Sequence, residues 1–186
     1  MNSHQLKQYL QNNLIYGEQP ARHKPVRSLS PMGLVMPDQS RTWGMDGSHW
    51  NPPPIDLKRM KDLFGLAFAI FKGCDGSLNS KYYFEHVAAA KLAGVPWGMY
   101  VWLYPNSKVS ISAQVNTWIT RALIDPPPLG IFIDAEWTTY GGQPANPSAS
   151  DLRTAHDLFK SKYGVPAITY TSKGYADTWL IGFVFD

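Results

Sequence analysis

The sequence predicts an α/β fold, a TIM-like β/α barrel in which five β/α units are present. Three observations lead there. Short β-branched and aromatic runs alternate with helical patterns from Trp43 onward, the grammar of a parallel sheet with crossover helices. Apolar strand-length runs end in polar or acidic residues, as barrel strands do at the C-terminal mouth. The 186 residues fall short of the roughly 250 that a full barrel takes, so the expectation is an incomplete one.

The elements follow in order. Residues 1–42 read as an N-terminal arm or linker. Leu6, Leu10 and Leu14 predict a short amphipathic helix near 3–14, followed by a Pro- and Arg-rich stretch without period. The domain then spans 43–186. A first strand is expected at Gly44–Ser48, and a helix at Asp56–Phe64 ends at Gly65, a residue that tolerates the left-handed position after a helix. Leu66–Lys72 is the second strand. Ser80–Leu92 is the second helix, with Ser80 as its cap and Gly94 as its stop. Gly98–Tyr104 is the third strand, and Ser112–Leu123 is a helix that Pro126-Pro127-Pro128 cannot continue. Gly130–Glu136 is the fourth strand. Ser148 or Ser150 caps a helix that runs to Tyr163 and stops at Gly164; Ala167–Thr171 is the fifth strand, and Tyr175–Leu180 a short helix.

Composition excludes several functions. No apolar run reaches the about 20 residues of a membrane span. The start, Met1-Asn2-Ser3-His4-Gln5, lacks the basic-then-apolar order of a secretory signal, so synthesis in the cytoplasm is expected. A net charge of +3 without a dense Lys/Arg block argues against a nucleic-acid groove. The five histidines show no metal-ligand spacing, and Gly141-Gly142 lacks the strand-turn-helix context of a phosphate loop. No metal or cofactor is implied. The single cysteine, Cys74, reads as a small buried residue. Seven tryptophans and ten tyrosines serve mostly a core, with a minority free to stack on sugar rings.

The chemistry centres on Ile131-Phe132-Ile133-Asp134-Ala135-Glu136-Trp137. Residues two apart on a strand share a face, so Asp134 and Glu136 are expected to project together at the mouth. Two carboxyls in a partly dry cleft do not both ionise easily; one becomes an acid able to protonate a leaving oxygen, as glycosidic cleavage requires. The competing reading is a solvated strand end. Asp46, at the end of the first strand, faces the same mouth if the sheet curls into a barrel, and otherwise is a turn residue before Gly47. Lys72 and Asp75 end the second strand, with Asp75-Gly76 reading as a turn and Lys72 pointing inward or snorkelling outward.

Together these stretches resemble family 25 of the glycoside hydrolases, the muramidases called Chalaropsis-type lysozymes. Asp46-Gly47-Ser48 matches the family's opening Asp-x-Ser. Lys72-Gly73-Cys74-Asp75-Gly76 matches its Lys-x-x-Glu-Gly turn, with Asp for Glu. Ala90-Lys91-Leu92-Ala93-Gly94 and Gly98-Met99-Tyr100 follow in order, as do Asp134-Ala135-Glu136 and Ile168-Thr169-Tyr170-Thr171-Ser172. Val101 stands where the family usually has a histidine. The resemblance implies hydrolysis of the β-1,4 bond between N-acetylmuramic acid and N-acetylglucosamine, with bacterial peptidoglycan as the partner and no cofactor. It implies Glu136 as general acid, Asp134 as the residue that orients the acetamido group or stabilises positive charge, and Asp46 as a residue tuning Glu136. Tyr100, Trp102, Trp137, Tyr170, Lys72 and Asp75 are the expected substrate-binding residues. It also implies final strands bearing another acidic residue, which nothing after Leu180 supplies. A chitinase-like barrel would want an Asp where Phe132 stands. The reading from another class is a sugar-binding or phage structural domain without catalysis, or an inactive copy. Encoding by a phage or prophage, or release by lysis, is the expected route to the wall.

Overall fold

The computed structural model describes residues 42–183; the helix expected near 3–14 lies outside them. Strand β1 (Trp43–Gly47) leads to helix α1 (Leu57–Phe64), and β2 (Leu66–Asp75) turns back into the two-residue β3 (Leu78–Asn79). Then come α2 (Tyr83–Ala93), β4 (Trp97–Trp102), α3 (Ile111–Ile124) and β5 (Ile131–Asp134). A hairpin of β6 (Thr139–Tyr140) and β7 (Gln143–Pro144) precedes α4 (Ala149–Tyr163), β8 (Ile168–Tyr170) and α5 (Lys173–Trp179). The five parallel strands lie in the order β1-β2-β4-β5-β8. Among the described residues, β1 and β8 are the two edges of this sheet.

Local chemistry sets the ends. Asp56 accepts from the Arg59 amide to cap α1, Ser110 from Ala113 for α3, and Ser148 forms a reciprocal capping box with Asp151 for α4. Gly65, Gly94 and Gly164 terminate α1, α2 and α4 as expected. Ser80 does not cap α2. Its amide donates to the Gly73 carbonyl and its own carbonyl accepts from Arg121, so it closes the β2–β3 hairpin and the helix starts three residues later. The Gly141-Gly142 pair is a hairpin turn: both residues have positive φ (59° and 77°) and join the paired Tyr140 and Gln143, the backbone a tight I′ turn demands.

The sheet has two unlike faces because side chains alternate along a strand. One face carries Met45, Ala69, Phe71, Cys74, Met99, Val101, Ile131 and Ile133, all buried. It packs under Leu57 and Met60 of α1, Tyr83 and Val87 of α2, Trp118 and Ala122 of α3, and Leu152 and Phe159 of α4. The opposite face is polar toward the strand ends: Asp46, Lys72, Tyr100, Trp102, Asp134 and Tyr170. Cys74 is buried, and burial pushes its thiol up to about 12; it is an inert core residue.

Candidate active site

The register places the site. Asp75, Trp102, Asp134 and Tyr170 are successive partners across β2, β4, β5 and β8, one row along the C-terminal edge of the sheet. Lys72, Tyr100, Phe132 and Ile168 form the row behind. Lys72 and Asp75 are three apart, so a regular strand would turn them to opposite faces. A β-bulge prevents this. Lys72 pairs with Tyr100 and Cys74 with Val101, leaving Gly73 as the extra residue. Lys72 Nζ therefore reaches Asp75 Oδ1 at 3.0 Å and lies 5.0 Å from the centre of the Trp102 ring. Lys72 points inward and is 7% exposed; it does not snorkel.

The bulge needs glycine for space. A Cβ at Gly73 would meet Met99 Cγ and Sδ at 2.3 Å, and Met99 is fully buried. Gly73→Val is expected to cost about 1–3 kcal/mol as an overpacked core and to separate Lys72 from Asp75. Urea unfolding checks the first effect; a change below about 0.5 kcal/mol would contradict this account of the bulge.

The carboxyls gather at the mouth. Strand β5 ends at Asp134, two residues short of the expected Glu136. The Ala135 amide still donates to the Tyr170 carbonyl and its carbonyl accepts from Thr171 Oγ1, after which the chain bends. Asp134 thus leaves from the last strand position and Glu136 from the bend beyond it. Asp134 is 8% exposed, while Glu136 and Asp46 are half-buried. Asp46 lies within β1, not in a turn.

Electrostatics ties the three together. Burial, then the Glu136 charge, raises Asp134 to about 8, with Asp46 adding and the Lys72 ammonium opposing. Burial raises Asp46, its own backbone hydrogen bond opposes that, and Glu136 adds to the rise. Burial raises Glu136. Burial also raises Tyr100 and Tyr170, and the charges of Asp46 and Asp134 add to both. Tyr100 shares a hydrogen bond with Ser48, which follows β1. The cluster therefore holds a proton at neutral pH, carried chiefly by Asp134.

Asp134 binds its proton more tightly folded than unfolded, so the native state carries the extra proton between about pH 4 and 8. Stability from this group is full below its unfolded pKa and declines as pH rises, at up to about 1.4 kcal/mol per pH unit for one proton. Asp134→Asn is expected to remove that decline. Denaturant midpoints of both proteins from pH 4 to 8 check it; parallel pH profiles would contradict it.

The remaining expected residues fall as follows. Trp102 lies between Asp75 and Asp134, and Tyr170 beside Asp134, 48% exposed. Trp137 follows Glu136, half exposed, its ring edge-on to Tyr175 at 5.2 Å. Tyr104 escaped the sequence reading: its hydroxyl donates to Asp75 Oδ1 at 2.7 Å. The buried Gln114 of α3 fixes it, accepting from the Tyr104 amide and donating to the Tyr104 carbonyl. No local motif marks Tyr104, because its partners are 29 and 10 residues away. Among the described residues, no group of three His, Cys, Asp or Glu is placed to hold a metal ion, and no helix is long and apolar enough to cross a membrane.

The fold resembles solved structures of known proteins. The modular autolysin LytC from Streptococcus pneumoniae superposes with a TM-score of 0.65 at 17% identity, over 73% of this chain and 33% of that one. A bacterial lysozyme from Streptomyces coelicolor gives 0.62 at 24% identity, over 76% and 67%. The catalytic domain of endolysin ply40, from bacteriophage P40 of Listeria monocytogenes, gives 0.62 at 16% identity, over 77% and 69%. The chain thus spans a third of the autolysin's length and about two thirds of the other two. No curated protein sequence matches it. The family profile of Glycosyl hydrolases family 25 matches residues 45–183, from β1 to the last described residue. With that span covering every carboxyl of the mouth, the chain belongs to glycosyl hydrolase family 25.

Proposed function

We propose that this chain is a peptidoglycan hydrolase of the N-acetylmuramidase type, cutting the β-1,4 bond between N-acetylmuramic acid and N-acetylglucosamine. One observation carries the reading: a buried, proton-holding carboxyl, Asp134, stands in one electrostatic cluster with Glu136 and Asp46 at the C-terminal end of a parallel sheet. Family membership supports it, as does a structurally similar autolysin, LytC, that was solved with a synthetic peptidoglycan ligand.

The residues divide the work. Among the described residues, the buried Asp134 Oδ1 has no hydrogen-bond partner, and a buried polar atom left unpaired costs about 1–3 kcal/mol. An acetamido N–H on the bound sugar satisfies it. That contact orients the acetamido oxygen toward the anomeric carbon, the arrangement of substrate-assisted cleavage. The N–H donated to Asp134 favours its charged form, so the cluster's proton passes to Glu136, which is more exposed and delivers it to the leaving oxygen. Asp46 disfavours a second negative charge nearby and so keeps the proton in the cluster. Trp102, Tyr100, Trp137 and Tyr170 offer ring faces to the sugar.

A second reading has an observation of its own. The outer edge of β8 is unpaired among the described residues, leaving Ile168 and Tyr170 about half exposed beside the mouth. Exposed apolar and aromatic side chains beside the mouth also fit binding without cleavage. Turbidity loss of a bacterial wall suspension, run beside a pull-down on the same walls, separates the two. Clearing supports the hydrolase; retention on walls without clearing supports the binding domain.

A further inference from the structure

Two acids compete for the Lys72 ammonium. Asp75, Trp102 and Asp134 are register partners on three adjacent strands, so their side chains stand on one face, with the indole between the two carboxyls. The ammonium lies 3.0 Å from Asp75 Oδ1 and 5.0 Å from the centre of the Trp102 ring. Lys72 is only 7% exposed, so its charge must be met by a partner inside the protein. We propose that Asp75, oriented by the Tyr104 hydroxyl, is a positioning residue: it holds the Lys72 ammonium back from Asp134, so that the carboxyl cluster keeps its proton. This role rests on the reading of the mouth as a hydrolytic site.

Asp75 is itself held by the fold around it. The Gly76 amide donates to the Trp102 carbonyl at 3.0 Å, and the Gly76 carbonyl accepts from Trp118 Nε1 at 2.8 Å. The backbone just beyond Asp75 is therefore pinned to β4 and to α3. The Tyr104 ring packs against the same glycine, where a Cβ would meet Tyr104 Cδ2 at 2.8 Å. The buried Gln114 accepts from the Tyr104 amide at 3.1 Å and donates to its carbonyl at 2.9 Å. The Tyr104 hydroxyl then donates to Asp75 Oδ1 at 2.7 Å, the oxygen that also receives Lys72. A carboxylate fixed in this way does not follow a flexible ammonium; the ammonium comes to it. The Trp102 ring face adds a cation–π attraction beside Asp75.

The ammonium's place matters because the mouth is crowded with acid. Asp134 is faced by Glu136 from the bend beyond β5, Asp46 from β1, Lys72 from β2, Tyr100 from β4, Tyr104 from the loop after β4 and Tyr170 from β8. Among these described residues Lys72 is the one cation, and it opposes the rise that burial and the two carboxyls impose on Asp134. Coulomb attraction grows as the distance closes, and more so where water is excluded. Moved off Asp75 toward Asp134, the ammonium favours the ionised carboxyl and strips the cluster of its proton. Retained at Asp75, it leaves the proton in place.

The test reads the proton on Asp134, not turnover. Isotope-labelled aspartate carboxyls are titrated by carbon NMR, with the Asp134 signal assigned by its loss in Asp134→Asn. Asp75→Asn keeps the side chain's size and an oxygen for Tyr104, but removes the charge that holds Lys72. It is expected to lower the Asp134 titration midpoint by about one pH unit, or about tenfold in proton affinity. Lys72→Met is expected to raise the midpoint. Adding Asp75→Asn to it is expected to change nothing further, because the ammonium through which Asp75 acts is gone. Lys72→Gln serves in the same arm, so the cycle does not hang on one variant folding. An Asp134 midpoint that Asp75→Asn leaves unmoved or raises overturns the proposal. So does a lowering that persists without Lys72, which traces to the Asp75 charge itself. The full pattern in a protein that clears no walls upholds the anchor while the hydrolase reading fails; clearing without the pattern does the reverse.

Discussion

Glu136→Gln is expected to lower wall-clearing activity by about 10²–10⁴-fold, the range a positioned general acid contributes, with the thermal midpoint nearly unchanged. The amide has nearly the size of the carboxyl but cannot give up a proton to the leaving oxygen. Glu136 sits in the bend beyond β5 and is half-buried, so the substitution disturbs no core contact. Removing its charge also removes the second-largest cause of the elevated Asp134, after burial. The variant therefore titrates Asp134 lower than the parent. Reduced clearing with a shifted stability-versus-pH profile supports the assignment. Activity within about threefold of the parent, a difference of less than 1 kcal/mol in the barrier, assigns the acid elsewhere.

The largest structural effect is expected at Trp118. It is fully buried in α3, and its Nε1 donates to the Gly76 carbonyl at 2.8 Å. That bond ties the α3 layer to the β2–β3 turn, directly after Asp75. Trp118→Ala is expected to cost about 3–5 kcal/mol, which for a domain this size lowers the melting midpoint by about 2–4 °C per kcal/mol. It also frees the turn that holds Asp75 in the row with Trp102 and Asp134. Calorimetric or denaturant unfolding measures the cost. A loss below about 1 kcal/mol would mean that the indole is not the pin between these layers.

The five parallel strands and their helices were legible because apolar period and glycine stops are local signals: Gly65, Gly94 and Gly164 each end a helix where expected. Helix caps were legible where nothing competed, as at Ser148, and misread where something did. Ser80 has a cap's composition but its backbone is spent on Gly73 and Arg121, partners that only the folded chain brings near.

The carboxyls were legible as a set, since Asp134 and Glu136 end an apolar run and the order of motifs added Asp46. Their inequality was not. It depends on burial: Asp134 is nearly enclosed while Glu136 is half-buried, and a bend rather than a continuing strand separates them. The Lys72–Asp75 pair was invisible to periodicity for a definite reason. A spacing of three puts residues on opposite faces until a bulge at Gly73 realigns them. Tyr104 had no local mark, its role resting on contacts with Asp75 and Gln114, 29 and 10 residues away.

The most direct measurement identifies the sugar at each newly made chain end. Purified peptidoglycan is digested, the free reducing ends are converted to alditols with borohydride, and the amino sugars are separated after hydrolysis. Hydrolysis by the Asp46, Asp134 and Glu136 cluster predicts muramitol growing with time and absent with Glu136→Gln. Glucosaminitol instead, or no alditol above the enzyme-free control from a folded protein, contradicts it.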